Sequence, residues 1–175
     1  MFFIYSLIYI LLLPLLILRD LLTLDKNKLK TIQQKLGFNI PNVKNQTIWL
    51  HGVSLGEIKI LSPLAKKLSN QGQNILITST TNTGLEELNK NFSNSDIKIL
   101  PFPYDLEFAH KKIIINFKVN KIILFESEFW PNLLNAAKNL NVVSLNSTIS
   151  DTSFKRFKML KVFSKTLFSL SLIHI

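Results

Sequence analysis

Residues 48–57 read Ile-Trp-Leu-His-Gly-Val-Ser-Leu-Gly-Glu, and this stretch decides the fold. The apolar run 48–50 enters a turn of small residues, and Glu57 opens a segment whose apolar residues recur at helical spacing. A strand, a turn and a helix in this order begin a βα unit. The pattern therefore predicts a sheet that delivers one acid to its carboxyl edge, where open α/β folds place their chemistry.

Two interpretations of Glu57 follow from its position. Acids are favoured in the first turn of any helix, because the exposed N–H groups there carry partial positive charge, and position alone favours this structural role. In the catalytic interpretation, Glu57 sits in a turn where the small residues Gly52, Ser54 and Gly56, together with His51, let a substrate approach closely. The turn lacks both glycine patterns of nucleotide-binding loops, so it does not support a nucleotide site.

The rest of the chain alternates between strand and helix patterns. The predicted strands are 47–51, 74–79, 97–101, 120–126 and 142–146, and the helices that follow them are 57–70, 83–92, 105–117, 131–140 and 151–168. The strands are short, β-branched and apolar on both faces, as buried parallel strands are. Five βα units in series predict an α/β fold with a Rossmann-like, doubly wound parallel sheet.

Polar residues also follow the other predicted strands. Glu126 ends an apolar strand, so we expect it at the carboxyl edge of the sheet near Glu57. The hydroxyl residues of 79–83 are expected to cap the next helix. Glu128 is expected in the first turn of the helix that follows it, and residues 104–105 are interpreted as a simple turn.

The N-terminal segment has the character of a membrane anchor. Residues 1–18 contain no charged side chain, and as a helix they would span about 27 Å, close to the thickness of a hydrocarbon core. We therefore predict an apolar membrane helix over 1–24 and a basic linker over 25–46, whose lysines place the remainder of the chain in the cytoplasm. Because Pro14 and the short length weaken a spanning helix, shallow insertion into one leaflet is the alternative.

Composition narrows the kinds of site and partner. The 175 residues include no cysteine, which excludes disulfides and thiolate metal sites. The three histidines show no metal-ligand spacing, and we expect neither a metal nor a cofactor. The net charge is +10, and the basic residues match no nucleic-acid-binding module, so we expect anionic membrane lipids as partners rather than nucleic acid. The basic face of helix 151–168 fits this expectation, although an ordinary surface helix would show a similar stripe.

Several motifs, taken in order, resemble the N-terminal half of the 3-deoxy-D-manno-octulosonic acid (Kdo) transferases of Gram-negative bacteria. The resemblance begins with the apolar anchor and the basic linker and runs over nearly all of the chain. The matching motifs are His51–Glu57 (His-x-x-Ser-x-Gly-Glu), the Thr-rich turn Thr78–Gly84, Leu100–Asp105 (Leu-Pro-Tyr-Asp with Phe102 and Pro103 added), Glu126–Asn132 (Glu-Thr-Glu-Leu-Trp-Pro-Asn) and Asn146–Ser150, in which Thr148 replaces an Arg.

The resemblance implies an architecture, an activity and two site residues. Members of the family adopt the two-domain GT-B glycosyltransferase architecture and move Kdo from CMP-Kdo onto the lipid A precursor, lipid IVA, in lipopolysaccharide core biosynthesis. By resemblance, Glu57 is the general base that accepts the proton of the attacking hydroxyl, and Glu126 stabilises the transition state. The same resemblance implies a place on the cytoplasmic face of the inner membrane, where anchor and basic charge meet the acylated acceptor.

Family members continue beyond the length of this chain. We therefore expect residues 47–175 to form a truncated, Rossmann-like acceptor-binding domain, while the C-terminal domain that contacts CMP-Kdo is absent. A related GT-B enzyme that uses another sugar is disfavoured, because the motifs of Glu57 and Glu126 both match the family, and two hypotheses then remain. The chain is the N-terminal part of a Kdo transferase and needs a C-terminal half supplied elsewhere, or it is a non-catalytic remnant, a membrane-anchored domain that binds acceptor lipid or has no function.

Overall fold

The computed structural model describes residues 2–23, 27–126 and 130–146, together with the backbone of 173–174. The predicted helix 151–168, Glu128 and the motif segment after Asn146 lie outside the described residues. Within the described part, every predicted strand of the sheet is present, and each predicted helix begins within two residues of its expected start.

The elements alternate along the chain as the sequence predicts. In order they are α1 (Phe2–Thr23), α2 (Lys28–Lys35), β1 (Thr47–Gly52), α3 (Leu55–Asn70), β2 (Asn74–Ser79), α4 (Asn82–Phe92), β3 (Lys98–Pro101), α5 (Glu107–Asn116), β4 (Val119–Phe125), α6 (Pro131–Ala136), β5 (Asn141–Leu145) and β6 (Ile173–His174). The helix expected over 131–140 is shorter than predicted, because a tight turn from Ala137 to Leu140 leads the chain directly into β5.

The strands form one parallel sheet in the order β3-β2-β1-β4-β5-β6. From β1 the chain winds outward to β2 and β3, then crosses back to β4 on the other side of β1. This crossing changes the face that the helices cover, since α3 and α4 pack on one face while α5 and α6 pack on the other. The predicted doubly wound α/β fold, preceded by an apolar helix, is confirmed.

Each face of the sheet has its own hydrophobic core. The core under α3 and α4 includes Leu50, Ile58, Leu61, Ile77 and Leu88. The core under α5 and α6 includes Trp49, Ile113, Phe117, Leu124 and Leu133. Successive residues of β1 enter opposite cores, which is why the strand is a continuous apolar run and not an alternating one.

The segment predicted as a linker, 25–46, contains a helix and buried residues. Lys35 of α2 is 3% exposed and pairs with Asp20 of α1 at 2.7 Å. Gly37, with φ +81°, lies so close to α5 that an added Cβ would stand 2.8 Å from the Cα of Ala109. The polar composition of this segment conceals its packing, and the described part of it belongs to the same compact unit as the sheet.

α1 has the length and apolar composition of a helix that can cross a membrane. One stripe of this helix nevertheless contacts the protein, because Tyr9, Leu13, Leu16 and Ile17 pack against Tyr104, Leu106 and Ala109. The helix therefore has two apolar sides, one against the domain and one exposed.

Candidate functional site

β1 and β4 lie side by side where the winding of the sheet reverses. His51 of β1 pairs with Leu124 of β4. Beyond this pair, the chain leads from β1 to α3 on one face and from β4 to α6 on the opposite face. A crevice at such a reversal is where open parallel sheets bind their ligands. Glu57 follows β1 and Glu126 follows β4, so the structure brings the two predicted acids to adjoining strand ends.

The carboxylate of Glu57 belongs to a capping box at the start of α3. Ser54 is the N-cap residue, and its Oγ accepts a hydrogen bond from the Glu57 N–H at 3.3 Å. In return, Glu57 Oε1 accepts from the N–H and the hydroxyl of Ser54 at 3.2 and 2.7 Å, and Oε2 accepts from the Val53 N–H at 2.8 Å. The structural interpretation of Glu57 thus describes its contacts correctly.

The capping box leaves capacity for one more partner of Glu57. A carboxylate offers about four lone-pair positions, and Oε1 already receives two donors whereas Oε2 receives one. Glu57 is 8% exposed, and Oε2, which has one donor, is the oxygen with the greater remaining capacity to accept a hydrogen bond. The three donors also fix the orientation of the side chain, which a positioned base requires.

Glu126 ends β4 with a strained backbone. Its φ is +60°, a left-handed conformation that costs a non-glycine residue about 1–2 kcal/mol. Its N–H donates to the Leu145 carbonyl and its own carbonyl accepts from Ser144 Oγ, both at 2.8 Å. The residue is exposed at the carboxyl edge. Strain that neighbouring strands hold in place is a recurrent property of functional sites.

The turn after β1 is tied to the turn after β2. The Val53 carbonyl accepts hydrogen bonds from Ser79 Oγ and Thr81 Oγ1, each at 3.0 Å. Thr81 Oγ1 also accepts from the Gly84 N–H at 3.2 Å and so caps α4. The prediction that these hydroxyls cap a helix is confirmed for Thr81, and the added contacts to Val53 brace the segment that positions Glu57.

The two glycines of the turn differ in their surroundings. A Cβ on Gly52 would lie 2.9 Å from Leu61 Cδ1 and 3.2 Å from Glu57 Cβ, so Gly52 allows α3 to pack closely on β1. Gly56 has open space around it, with Ser54 Oγ at 3.8 Å as the nearest atom. The expectation that small residues keep room for a substrate is wrong for Gly52 and stays a prediction for Gly56.

His51 lies within β1, as the predicted strand 47–51 requires, and it does not belong to the turn with which it was also grouped. Its imidazole is fully buried, stacks on Phe102 with ring centroids 3.7 Å apart, and holds Nδ1 3.0 Å from Thr78 Oγ1. Burial lowers the pKa of His51 to about 3, so the ring is neutral at physiological pH. His51 therefore supports the site from within the core.

Asp105, which the sequence analysis interpreted as part of a turn and as the last residue of the motif Leu100–Asp105, is a fully buried centre of hydrogen bonds. Its carboxylate accepts from Tyr5 Oη and His110 Nε2, each at 2.8 Å, and from the backbone N–H groups of Asn132 and Leu133 at 3.2 and 3.0 Å. It thereby joins α1, α5 and the start of α6. The spacing of Asp105 and His110, five residues apart, is a weak sequence signal for their hydrogen bond. The nearby sequence gives no signal for the contacts of Asp105 with Tyr5 and α6.

Metal-ligating side chains do not gather at this edge. In the part of the chain that the structure describes, no group of three or more His, Asp or Glu side chains could hold a metal ion. The expectation that the chemistry needs neither metal nor cofactor stays a prediction.

Comparison with known proteins finds one matching family and several similar proteins. The family described as 3-deoxy-D-manno-octulosonic-acid transferase (kdotransferase) matches residues 30–175. A bifunctional glycosyltransferase/methyltransferase from Fusobacterium nucleatum is 36% identical over 148 residues, which are 81% of this chain and 23% of that protein. A 3-deoxy-D-manno-octulosonic acid transferase from Haemophilus influenzae is 33% identical over 129 residues (71% and 30%), and one from Chlamydia pneumoniae is 29% identical over 146 residues (80% and 33%). The chain spans between 23% and 33% of the length of these curated relatives.

Proposed function

Because the chain belongs to the 3-deoxy-D-manno-octulosonic-acid transferase family, we propose that it is the acceptor-binding part of an enzyme that moves Kdo from CMP-Kdo onto lipid IVA. The observation that carries the proposal is the position of Glu57 and Glu126 at adjoining strand ends, where the sheet reverses its winding. The doubly wound sheet is consistent with the N-terminal domain of a GT-B glycosyltransferase.

Glu57 is the general base of the proposed reaction. The acceptor hydroxyl donates a hydrogen bond to Oε2, its oxygen attacks the anomeric carbon of Kdo, and its proton passes to the carboxylate. The new C–O bond forms as the bond between Kdo and the phosphate oxygen breaks, and CMP leaves with the electron pair. A positioned base of this kind contributes about 10²–10⁴-fold to the rate.

Glu126 is the proposed electrostatic stabiliser. Departure of CMP builds positive, oxocarbenium-like charge on the sugar ring, and a fixed carboxylate opposes that charge. The backbone of Glu126 is held by Leu145 and Ser144, so the point from which its side chain projects is fixed.

The donor is proposed to bind a second domain. The relatives have three to four times the length that this chain covers, as the shares of 23% to 33% show, and the turn after β1 lacks a nucleotide-binding glycine pattern. A C-terminal nucleotide-sugar domain would present CMP-Kdo to the carboxyl ends of β1 and β4.

The proposed location is the cytoplasmic face of the inner membrane. α1 is apolar enough to anchor the chain, the net charge of +10 suits anionic lipids, and the proposed acceptor is itself a membrane lipid. Together these features support an enzyme that works where its substrate is embedded.

The proposed activity is tested by reconstitution. The chain is combined with a family C-terminal domain, either fused after Ile175 or supplied separately, and CMP release is measured with CMP-Kdo and lipid IVA. We expect release that depends on lipid IVA and falls about 10²–10⁴-fold in Glu57→Gln, because the proton loses its acceptor.

Glu86→Gln is the matched control for this experiment. It makes the same chemical change at an exposed position of α4, so both the stability and the activity should stay close to those of the unaltered chain. Full activity in Glu57→Gln would exclude Glu57 as the base. A folded, membrane-bound reconstituted protein that releases no CMP would favour the non-catalytic remnant.

A further inference from the structure

We propose that α1 lies flat in the surface of one leaflet instead of crossing the bilayer, and that it holds the carboxyl edge of the sheet against the lipid headgroups. This inference rests on the membrane association in the proposed function. It is carried by the two opposite stripes of α1 and by the hydrogen bonds that attach this helix to the domain.

The inner stripe of α1 contacts the domain along most of the helix. It consists of Tyr5, Tyr9, Leu13, Leu16, Ile17 and Asp20, spaced three or four residues apart with Leu16 and Ile17 adjacent. From Tyr5 to Asp20 these contacts extend over about 22 Å of helix. A helix that crosses a membrane and meets its soluble domain at one end would not be covered over this length.

Polar contacts anchor both ends of the inner stripe. Near the N-terminal end, Tyr5 Oη donates to Asp105 at 2.8 Å and Ser6 Oγ donates to the Asn132 side chain at 2.7 Å. Near the other end, Asp20 accepts from Lys35 Nζ at 2.7 Å and from the Tyr104 hydroxyl at 2.8 Å.

These contacts and a spanning orientation exclude each other. If α1 crossed the bilayer while docked, the turn between β3 and α5 would have to enter the hydrocarbon, where its irregular backbone and charges have no water. If α1 crossed the bilayer after leaving the domain, it would give up the ion pair between Asp20 and Lys35 and the hydrogen bond from Tyr104.

The outer stripe of α1 provides the membrane-binding surface. It consists of Phe3, Ile4, Leu7, Ile8, Leu11, Leu15, Leu18 and Leu22, each at least 50% exposed. Apolar side chains along one side of a helix that is fixed to a soluble domain are suited to insertion into the headgroup and acyl boundary.

α5 extends this surface and supplies positive charge. Phe108, Lys111, Lys112 and Ile115 share one exposed face of α5, since they are three or four residues apart. A groove of about 780 Å³ lies between the two helices, with Ile10 of α1 and Phe108 of α5 among its lining residues. Lys111 pairs with Glu107, so Lys112 supplies the net positive charge of this face. Apolar side chains beside a lysine suit the boundary of an anionic leaflet.

α1 also lies next to the proposed catalytic edge. Three of its residues form hydrogen bonds to segments that follow strands of the sheet. The Thr23 carbonyl accepts from the Asn82 side chain after β2. The Tyr5 hydroxyl donates to Asp105 after β3, and the Ser6 hydroxyl donates to Asn132 after β4. A helix that rests on the leaflet therefore brings the edge bearing Glu57 and Glu126 close to the headgroups, which is where the hydroxyl of a lipid-linked sugar would be.

Site-directed spin labelling tests this orientation, because the chain has no native cysteine. Single cysteines at Phe3, Leu11 and Leu18 of the full chain are labelled, and immersion depth is measured in phosphatidylethanolamine–phosphatidylglycerol vesicles. We expect the three labels to lie at equal shallow depth, whereas Gln33→Cys on α2 remains in water. A maximum of depth at Leu11, with shallower values at Phe3 and Leu18, would overturn the proposal.

A second measurement shows on which side of the membrane the N-terminal end of α1 lies. It also separates a failure of the proposed orientation of α1 from a failure of the membrane association in the proposed function. A tag with one cysteine ahead of Met1 should react with an impermeant maleimide from the cytoplasmic side of bacterial membranes, as Gln33→Cys does. Reaction from the periplasmic side would establish a spanning helix. Vesicle flotation tests membrane association itself, so a chain that floats but labels from the periplasm overturns the orientation alone.

Discussion

Glu57 and Glu126 are held at the carboxyl edge in different ways. Glu57 is oriented by three hydrogen-bond donors from Val53 and Ser54, whereas Glu126 is placed by a left-handed backbone that Leu145 and Ser144 hold. The first arrangement fixes an oxygen atom, as a base requires, and the second fixes the point from which a charge acts. Each arrangement suits the role proposed for the residue.

Glu126→Gly is expected to increase stability and reduce transfer. Glycine adopts φ +60° without steric conflict, so the free energy of unfolding should rise by about 1 kcal/mol. The variant also loses the carboxylate that stabilises the transition state, so the rate of CMP release should fall about 10²-fold. Urea unfolding and the reconstituted assay measure the two effects.

Glu126→Gln is the matched control that separates the effect of the backbone strain on stability from the effect of the charge on activity. It retains the side-chain length and the backbone strain but removes the charge, so activity should fall while the unfolding free energy stays close to that of the unaltered chain. If both variants retained full activity, the electrostatic role of Glu126 would be wrong.

His51 makes the stability of the protein depend on pH. Above pH 6.5 the ring is neutral in both the folded and the unfolded chain. As the pH falls from 6.5 towards 3, the unfolded chain takes up a proton that the folded chain does not, so stability present above 6.5 is progressively lost. Between pH 7.5 and 5.5 this loss is about 1.4 kcal/mol.

His51→Asn isolates this contribution, because the amide can replace Nδ1 beside Thr78 without titrating. In urea unfolding, the variant should be less stable at pH 7.5 but should lose about 1.4 kcal/mol less than the unaltered chain on acidification to pH 5.5. An equal loss in both proteins would show that the folded imidazole takes up protons normally.

At the scale of elements, the docking of α1 depends on a buried ion pair. Asp20→Ala leaves the buried Lys35 without its carboxylate partner, so we expect the free energy of unfolding in mild detergent to fall by about 3–5 kcal/mol. The same change should expose α1 to limited proteolysis, because the helix loses its attachment at one end.

The double substitution Asp20→Leu with Lys35→Met provides the comparison. Replacing a buried pair by apolar side chains of similar size is often neutral or stabilising, so this variant should regain most of the lost stability. A double variant as unstable as Asp20→Ala would indicate that the hydrogen bond from Tyr104, and not the ion pair, dominates the docking.

The regular elements of the sheet were predictable because each has a local signature. β1 and β2 are short β-branched runs, and α3 shows helical spacing after an N-cap serine. α2 was missed because its burial depends on distant partners, namely Asp20 for Lys35 and Ala109 for Gly37. A polar composition predicts a linker unless those partners are known.

At the scale of the whole molecule, the residues at the carboxyl edge of the sheet were predictable from the sequence. The long-range contacts of the helices that surround this edge were not. Successive βα units place all carboxyl strand ends on one edge, so Glu57 and Glu126 could be expected there. The role of Asp105 could not, because its partners Tyr5 and Asn132 are 100 and 27 residues away in sequence. Such contacts depend on how α1 and α6 meet.

The charge of the whole molecule should control how tightly it binds lipid. Because the net charge is +10, binding to vesicles should strengthen as the fraction of phosphatidylglycerol increases, by about 1 kcal/mol for each basic residue near the surface. At 1 M salt this dependence should disappear, since the Debye length falls to about 3 Å.

Flotation at low and high salt measures this dependence, with phosphatidylcholine vesicles as the neutral control. Residual binding at high salt is expected from the outer stripe of α1, which does not depend on charge. Complete release at high salt would contradict an apolar contribution from that stripe.

The docking of α1 has a consequence for biosynthesis. α1 is made before the elements that it contacts, and its contact Ser6–Asn132 joins residues 126 positions apart. At a synthesis rate of about 5–20 residues per second, roughly 6–25 s pass before that partner exists. During this interval the nascent helix is apolar on both sides, so capture by the membrane during translation would protect it until the rest of the domain arrives.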